Sequence, residues 1–163
     1  MNKESLILLV EDSDEDYEST VRAFRKVRMA NRLFRCEDGE QVLDYLFRRG
    51  VYSDPDKSPR PALILLDLNL PGTDGRTILS QIKKDPSLKT IPVVVLTTSS
   101  DERDISKCYE AGANSFIQKP VSFERYISAI ERLNNYWFEI VLLPEVNQKK
   151  EKLNSPKTGE RSL

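Results

Sequence analysis

Three short stretches of the chain are apolar almost without interruption: LILLV at Leu6–Val10, ALILL at Ala62–Leu66 and PVVVL at Pro92–Leu96. A strand with one wet face alternates apolar and polar residues. An unbroken apolar run of strand length instead needs cover on both faces, which is the habit of parallel sheets clad by helices. Weaker strands are predicted at Leu33–Cys36 and Ser115–Gln118.

The segments between carry apolar residues at helical spacing. Asp14–Arg28 holds Val21, Phe24 and Val27, and Gln41–Arg49 holds Val42, Leu43, Leu46 and Phe47. Asp74–Lys84 holds Ile78, Leu79 and Ile82, with Gly75 near its start. Glu102–Ala111 holds Ile105, Cys108 and Tyr109, and Gly112 supplies a stop. A fifth helix is predicted from Ser122, a suitable N-cap. Regular alternation of strand and helix predicts an α/β fold, a doubly wound five-stranded parallel sheet with helices on both faces. Gly50–Pro61, with three prolines and no periodicity, reads as a long loop. One domain is expected over 1–145, with an extended C-terminal helix. The polar stretch 146–163 has no core face and is expected to be a disordered tail.

The residues at the C-terminal ends of the strands matter most, because ligands of open parallel sheets bind along that edge. The first strand ends in Glu11-Asp12, the third in Asp67, the fourth in Thr97 and the fifth in Lys119. Three clustered carboxylates raise one another's pKa and destabilise the fold unless positive charge offsets them. Lys119 offsets part, and a divalent cation would offset the rest. The donors are all oxygens, so a hard ion is expected: Mg²⁺, with Mn²⁺ as a substitute. Asp12, Asp67 and a backbone carbonyl near Asn69 would supply the protein ligands. A carboxylate beside a cation and a lysine is suited to act as nucleophile toward phosphorus, with Thr97 donating to a phosphoryl oxygen.

What the sequence lacks narrows the chemistry further. It contains no histidine, which removes Ser-His, Cys-His and His-metal catalysis. Its formal net charge of -1 gives no clustered positive field for nucleic acid. Cys36 and Cys108 sit among apolar neighbours in no metal-like or redox-like spacing, and are expected as buried free thiols in a reducing compartment. The first apolar run is too short for a secretory signal, and no run approaches a membrane span. A cytoplasmic location is expected.

The segments LLVEDS at Leu8–Ser13, LLDLNLPGTDG at Leu65–Gly75, VVVLTTS at Val93–Ser99 and GANSFIQKP at Gly112–Pro120 together resemble the receiver domains of two-component response regulators. The spacings from Asp67 to Thr97 and from Thr97 to Lys119 agree as well. The resemblance covers about residues 5 to 134. It implies the flavodoxin-like strand order 2-1-3-4-5. It implies that Asp67 is the phosphoacceptor and that Glu11, Asp12 and the Asn69 carbonyl serve the metal. Thr97 would be the switch hydroxyl that moves toward the phosphoryl group, Lys119 would pair with that group, and Phe116 would be the aromatic switch residue. It also implies a cis bond between Lys119 and Pro120. Two positions depart from the family pattern. Thr98 stands where Ala or Gly is frequent, which narrows access to Asp67. Phe116 lacks the hydroxyl of the commoner tyrosine.

CEDGEQVLDYLFRRG at 36–50, LTTSSDERDI and CYEAGANSFIQKPV are similar to the response regulators of cyanobacterial and related bacterial phytochromes. That likeness implies a phytochrome-like sensor histidine kinase as partner and a switch rather than a turnover enzyme. Two rival readings are weaker. A Mg²⁺-dependent phosphohydrolase would carry a second acid two residues after its nucleophile, where this chain has Asn69. A scaffold with a disused receiver site would not need Glu11, Asp12, Asp67, Thr97 and Lys119 together.

The fifth helix has a sheet-facing stripe of Phe123, Tyr126, Ile127, Ile130 and Leu133. YWFEIVLL comes next, at Tyr136–Leu143. A helix continued that far would outrun the sheet and expose apolar surface. The expectation is a homodimer seam built from the fourth and fifth helices with Tyr136, Trp137 and Phe138. The alternative is a segment folded back on its own domain.

Overall fold

The computed structural model describes residues 5–144. The strands are β1 (Leu6–Val10), β2 (Arg32–Cys36), β3 (Leu63–Leu66), β4 (Val93–Thr97) and β5 (Ser115–Gln118). The helices are α1 (Asp14–Lys26), α2 (Gly39–Phe47), α3 (Gly75–Lys84), α4 (Glu102–Glu110) and α5 (Phe123–Asn134). All strand pairs are parallel, in the order β2-β1-β3-β4-β5.

Period-two alternation sends successive strand residues to opposite faces, and both faces are dry. Leu8, Val10, Ile64, Leu66, Val93 and Val95 meet α2, α3 and α4. Ile7, Leu9, Leu63, Leu65, Val94 and Leu96 meet α1 and α5. This two-sided cover accounts for the unbroken apolar runs. Cys36 and Cys108 are buried free thiols, and burial pushes the Cys36 thiol up to about 12.

Side-chain caps set the helix starts. Ser13, Asp38, Asp74, Asp101 and Ser122 each accept an amide hydrogen bond from the first turn of α1 to α5 in order. The α1 helix stops at Lys26, two residues short of its predicted end, where Arg28 turns left-handed with φ 56°. Tyr109, predicted to lie on the core stripe of α4, faces outward instead, and its hydroxyl accepts from the Phe116 amide at 3.2 Å. That bond satisfies an N–H which edge strand β5 has no neighbouring strand to take. The proline-rich loop is packed. The Tyr52 ring meets Phe34 and Tyr45, and the Tyr45 hydroxyl donates to the Pro59 carbonyl at 2.6 Å.

Two expectations are corrected. The Lys119–Pro120 bond is trans, the form an X–Pro amide favours by about 0.5–1 kcal/mol. The chain after α5 also does not run on as a straight exposed helix. It widens into a π turn over Asn135–Ile140, closed by the Val141 amide on the Tyr136 carbonyl at 2.9 Å. A wider turn crowds more residues onto each face, so the consecutive Trp137 and Phe138 both reach the α1/α5 core, each 8% exposed. They belong to the chain's own interior and are not available to a seam. Tyr136, Ile140 and Leu142 stay outside at 54%, 69% and 96% exposed. The stretch expected to be a disordered tail lies outside the described residues, as do residues 1–4 and 145 of the expected domain, and the five strands described form one sheet.

Candidate functional site

Sheet register assembles the site. The Glu11 amide donates to the Cys36 carbonyl and the Asp67 amide to the Val10 carbonyl, so the ladders of β1 continue one residue into the acidic loops. Thr97 lies opposite Gln118, and the Lys119 amide donates to the Thr97 carbonyl at 2.7 Å. Carboxylate oxygens of Glu11, Asp12 and Asp67 all lie within 4.8 Å of one another. Glu11 is buried, Asp12 is exposed, and Asp67 is 8% exposed.

Lys119 is the hub. Its Nζ donates to Glu11 Oε2 at 2.5 Å, Asp16 Oδ2 at 3.0 Å and Asp67 Oδ2 at 3.3 Å. Burial pushes the Glu11 carboxyl up to about 7, with the Lys119 ammonium pulling against that rise. Burial alone would lower the lysine, but its three carboxylate partners outweigh it and hold the ammonium charged well above the usual lysine range. Glu11 Oε1 also accepts the Ser13 amide at 3.1 Å, so both oxygens of Glu11 are engaged. Asp67 Oδ1 accepts the Asn69 amide at 3.2 Å.

Thr97 is fully buried, and its hydroxyl accepts the Ser99 amide at 3.4 Å. The Ser99 hydroxyl in turn donates to Asp104 Oδ2 at 2.9 Å, and Arg76 grips the same carboxylate through Nε at 2.9 Å. The β4–α4 loop is thereby tied to the start of α3. Phe116 is half-buried against the α2/α3/α4 core, on the strand before Lys119. Thr98 is exposed and, with Glu15, Asp16, Lys119, Pro120 and Phe123, lines an open cavity of about 390 Å³ beside the acidic cluster.

Sequence reasoning missed the part that Asp16 and Gly75 play at the site. Asp16 lies in the first turn of α1, its amide bonded to the Ser13 cap, so its place just past the end of β1 was a usable signal. Gly75 is buried where α3 crosses the Asp67 loop. A Cβ there would stand 2.5 Å from the Asp67 carbonyl oxygen and 2.6 Å from the Leu68 Cα. Only glycine permits that approach.

The donor set fits a divalent cation: three carboxylates hold one rim, while a single lysine offsets part of their charge. Residues 7–131 match the family model for the response regulator receiver domain. The chain is 40% identical over 143 residues to Response regulator Rcp1 of Synechocystis sp., across 88% of this chain and 95% of that protein. The crystal structure of the Mn(2+)-bound form of Rcp1 is similar with a TM-score of 0.80, at 40% identity over 86% of this chain and 99% of that one. A crystal structure of the phosphorylated cyanobacterial phytochrome response regulator RcpA is similar with a TM-score of 0.82, at 37% identity over 87% of this chain and 99% of that one.

Proposed function

The chain belongs to the response regulator receiver family, and from that membership we propose that Asp67 accepts a phosphoryl group from a partner histidine kinase and works as a reversible switch. The observation that carries this reading is the Lys119 ammonium, bonded at once to Asp67 and Glu11 within a group of three carboxylates.

Asp67 is the nucleophile. Its oxygen forms the new O–P bond as the N–P bond of the donor phosphohistidine breaks and the imidazole keeps the bonding pair. This sequence has no histidine, so the donor is not one of its residues. Lys119, already 3.3 Å from Asp67 Oδ2, pairs with a phosphoryl oxygen. Thr97 exchanges its bond with the Ser99 amide for donation to another phosphoryl oxygen. That exchange pulls on Ser99, and through Asp104 and Arg76 on α4 and α3. Phe116 responds by repacking beside Tyr109. Asp12, Asp67 and the Asn69 carbonyl would hold the Mg²⁺ or Mn²⁺, with Glu11 between Asp12 and Lys119. The cation would neutralise charge on the phosphoryl oxygens. Asn69 stands where a phosphohydrolase needs a second acid, which supports a stored acyl phosphate over turnover.

The likeness to Rcp1 and RcpA supports a phytochrome-type light sensor as the kinase. No helix among the described residues is long and apolar enough to cross a membrane. That feature and the free thiols support operation in the cytoplasm. A homodimer through α4, α5 and the exposed Tyr136, Ile140 and Leu142 is the proposed assembled form. Transfer is tested with a phytochrome-type kinase labelled on its histidine. The label should leave the kinase and appear on this chain as an alkali-labile acyl phosphate. Label retained on the kinase in the presence of Mg²⁺ would count against that partner.

A further inference from the structure

Arg35 is built into the acidic rim without touching any of the clustered carboxylates. It ends the α1-facing side of β2, opposite Leu9. Its side chain is only 13% exposed. Nε donates to the Glu11 carbonyl at 2.9 Å, and Nη2 donates to the Asp12 carbonyl at 3.1 Å. Nη1 pairs with Asp14 Oδ1 at 2.7 Å and with Glu37 Oε1 at 3.3 Å. The Tyr17 ring lies against the guanidinium, 4.6 Å from its carbon to the ring centroid. One planar group therefore grips two consecutive carbonyls of the β1–α1 loop and is itself clamped from three sides.

We propose that Arg35 is a positioning residue for the divalent cation: by fixing the Glu11 and Asp12 peptide planes, it holds the Asp12 carboxylate beside Glu11 and Asp67. The inference rests on the reading of that cluster as the metal site. Asp12 needs such help more than its neighbours do. Glu11 is held by Lys119 and the Ser13 amide, and Asp67 by Lys119 and the Asn69 amide. Asp12 is exposed, and its loop carbonyl is bound by Arg35.

Two physical effects of removing Arg35 have opposite signs. By Coulomb's law alone, loss of a positive charge near the cluster tightens cation binding. Loss of an outer-shell partner that orients a ligand weakens binding, typically by about 10–100-fold. The sign of the change separates them.

The test measures Mn²⁺ affinity of the unphosphorylated full chain, from the electron paramagnetic resonance signal of the free ion. Arg35→Met should raise Kd at least about tenfold. Arg35→Lys keeps the charge and fills the space but lacks the planar fork, and should raise Kd by at least about threefold. It also keeps the inference testable if the methionine variant does not fold. For both variants, the Mg²⁺ concentration giving half-maximal labelling by acetyl phosphate should rise with Kd. The rate at saturating Mg²⁺ should stay within about twofold of the parent. Unchanged or tighter Mn²⁺ binding by a folded variant would overturn the role of Arg35. A parent chain that takes up no Mn²⁺ would instead overturn the reading of the cluster on which the role depends.

Discussion

Asp12 and Asp67 carry the same charge but differ in what balances it. Asp67 has Lys119 at 3.3 Å, whereas Asp12 lies exposed within 4.8 Å of two other carboxylates and bonds no lysine among the described residues. Without a cation, Asp12 adds like-charge repulsion worth about 1 kcal/mol in wet surroundings. Asp12→Asn should therefore raise unfolding stability in chelator by about 1 kcal/mol. It should also lose the stabilisation that Mg²⁺ gives the parent. Urea denaturation with EDTA and with Mg²⁺ checks both; a variant less stable than the parent in EDTA would contradict the charge argument. The membership of the acidic rim was legible at this scale because strand ends can be read from apolar runs, and Glu11, Asp67 and Thr97 each stand directly after such a run. Arg35 was not legible. Its role depends on β2 lying beside β1 in a particular register, and an arginine near a strand end has no such meaning by itself.

Gly75 binds an element to the site. Because α3 starts against the Asp67–Leu68 backbone, Gly75→Ala should force that loop outward. An overpacking cost of about 1–3 kcal/mol is expected, together with slower labelling of Asp67 by acetyl phosphate. Chemical denaturation and timed mass spectrometry give the two readouts, and parent-like values in both would show that the loop gives way freely. The tie between α3 and α4 has a pH signature. The Arg76 guanidinium first, and the Ser99 hydroxyl after it, hold the Asp104 carboxyl below the usual carboxylate range. A lowered carboxyl pKa stabilises the fold above the ordinary value of about 3.9 and loses that contribution as pH falls through the folded value. In Arg76→Met, the carbon-13 titration midpoint of Asp104 should move up toward about 3.9. An unmoved midpoint would remove Arg76 as the cause. Strands and caps at this scale came from local pattern, as at Leu6–Val10 and Ser122. The π turn did not, because Tyr136–Ile140 is apolar almost all round and carries no periodicity that would mark a widening, while Trp137 and Phe138 both pack into the α1/α5 core.

At the scale of the molecule, the sheet delivers every part of the site to one edge, while the end of α5 divides its aromatic residues between interior and surface. The proposed dimer then rests on Tyr136, Ile140 and Leu142. Replacing all three with serine should leave the fold intact and shift sedimentation from dimer to monomer. Cutting the chain before Tyr136 would be a poor test, since it strips Trp137 and Phe138 from the core. Equal masses for parent and triple variant would remove the seam. Phosphorylation at Asp67 remains the claim on which the rest depends. Its most direct measurement is the intact mass of the chain after incubation with acetyl phosphate. One added phosphoryl group is expected, requiring Mg²⁺ and absent from Asp67→Asn. No added mass on the parent, or the same addition on Asp67→Asn, would contradict it.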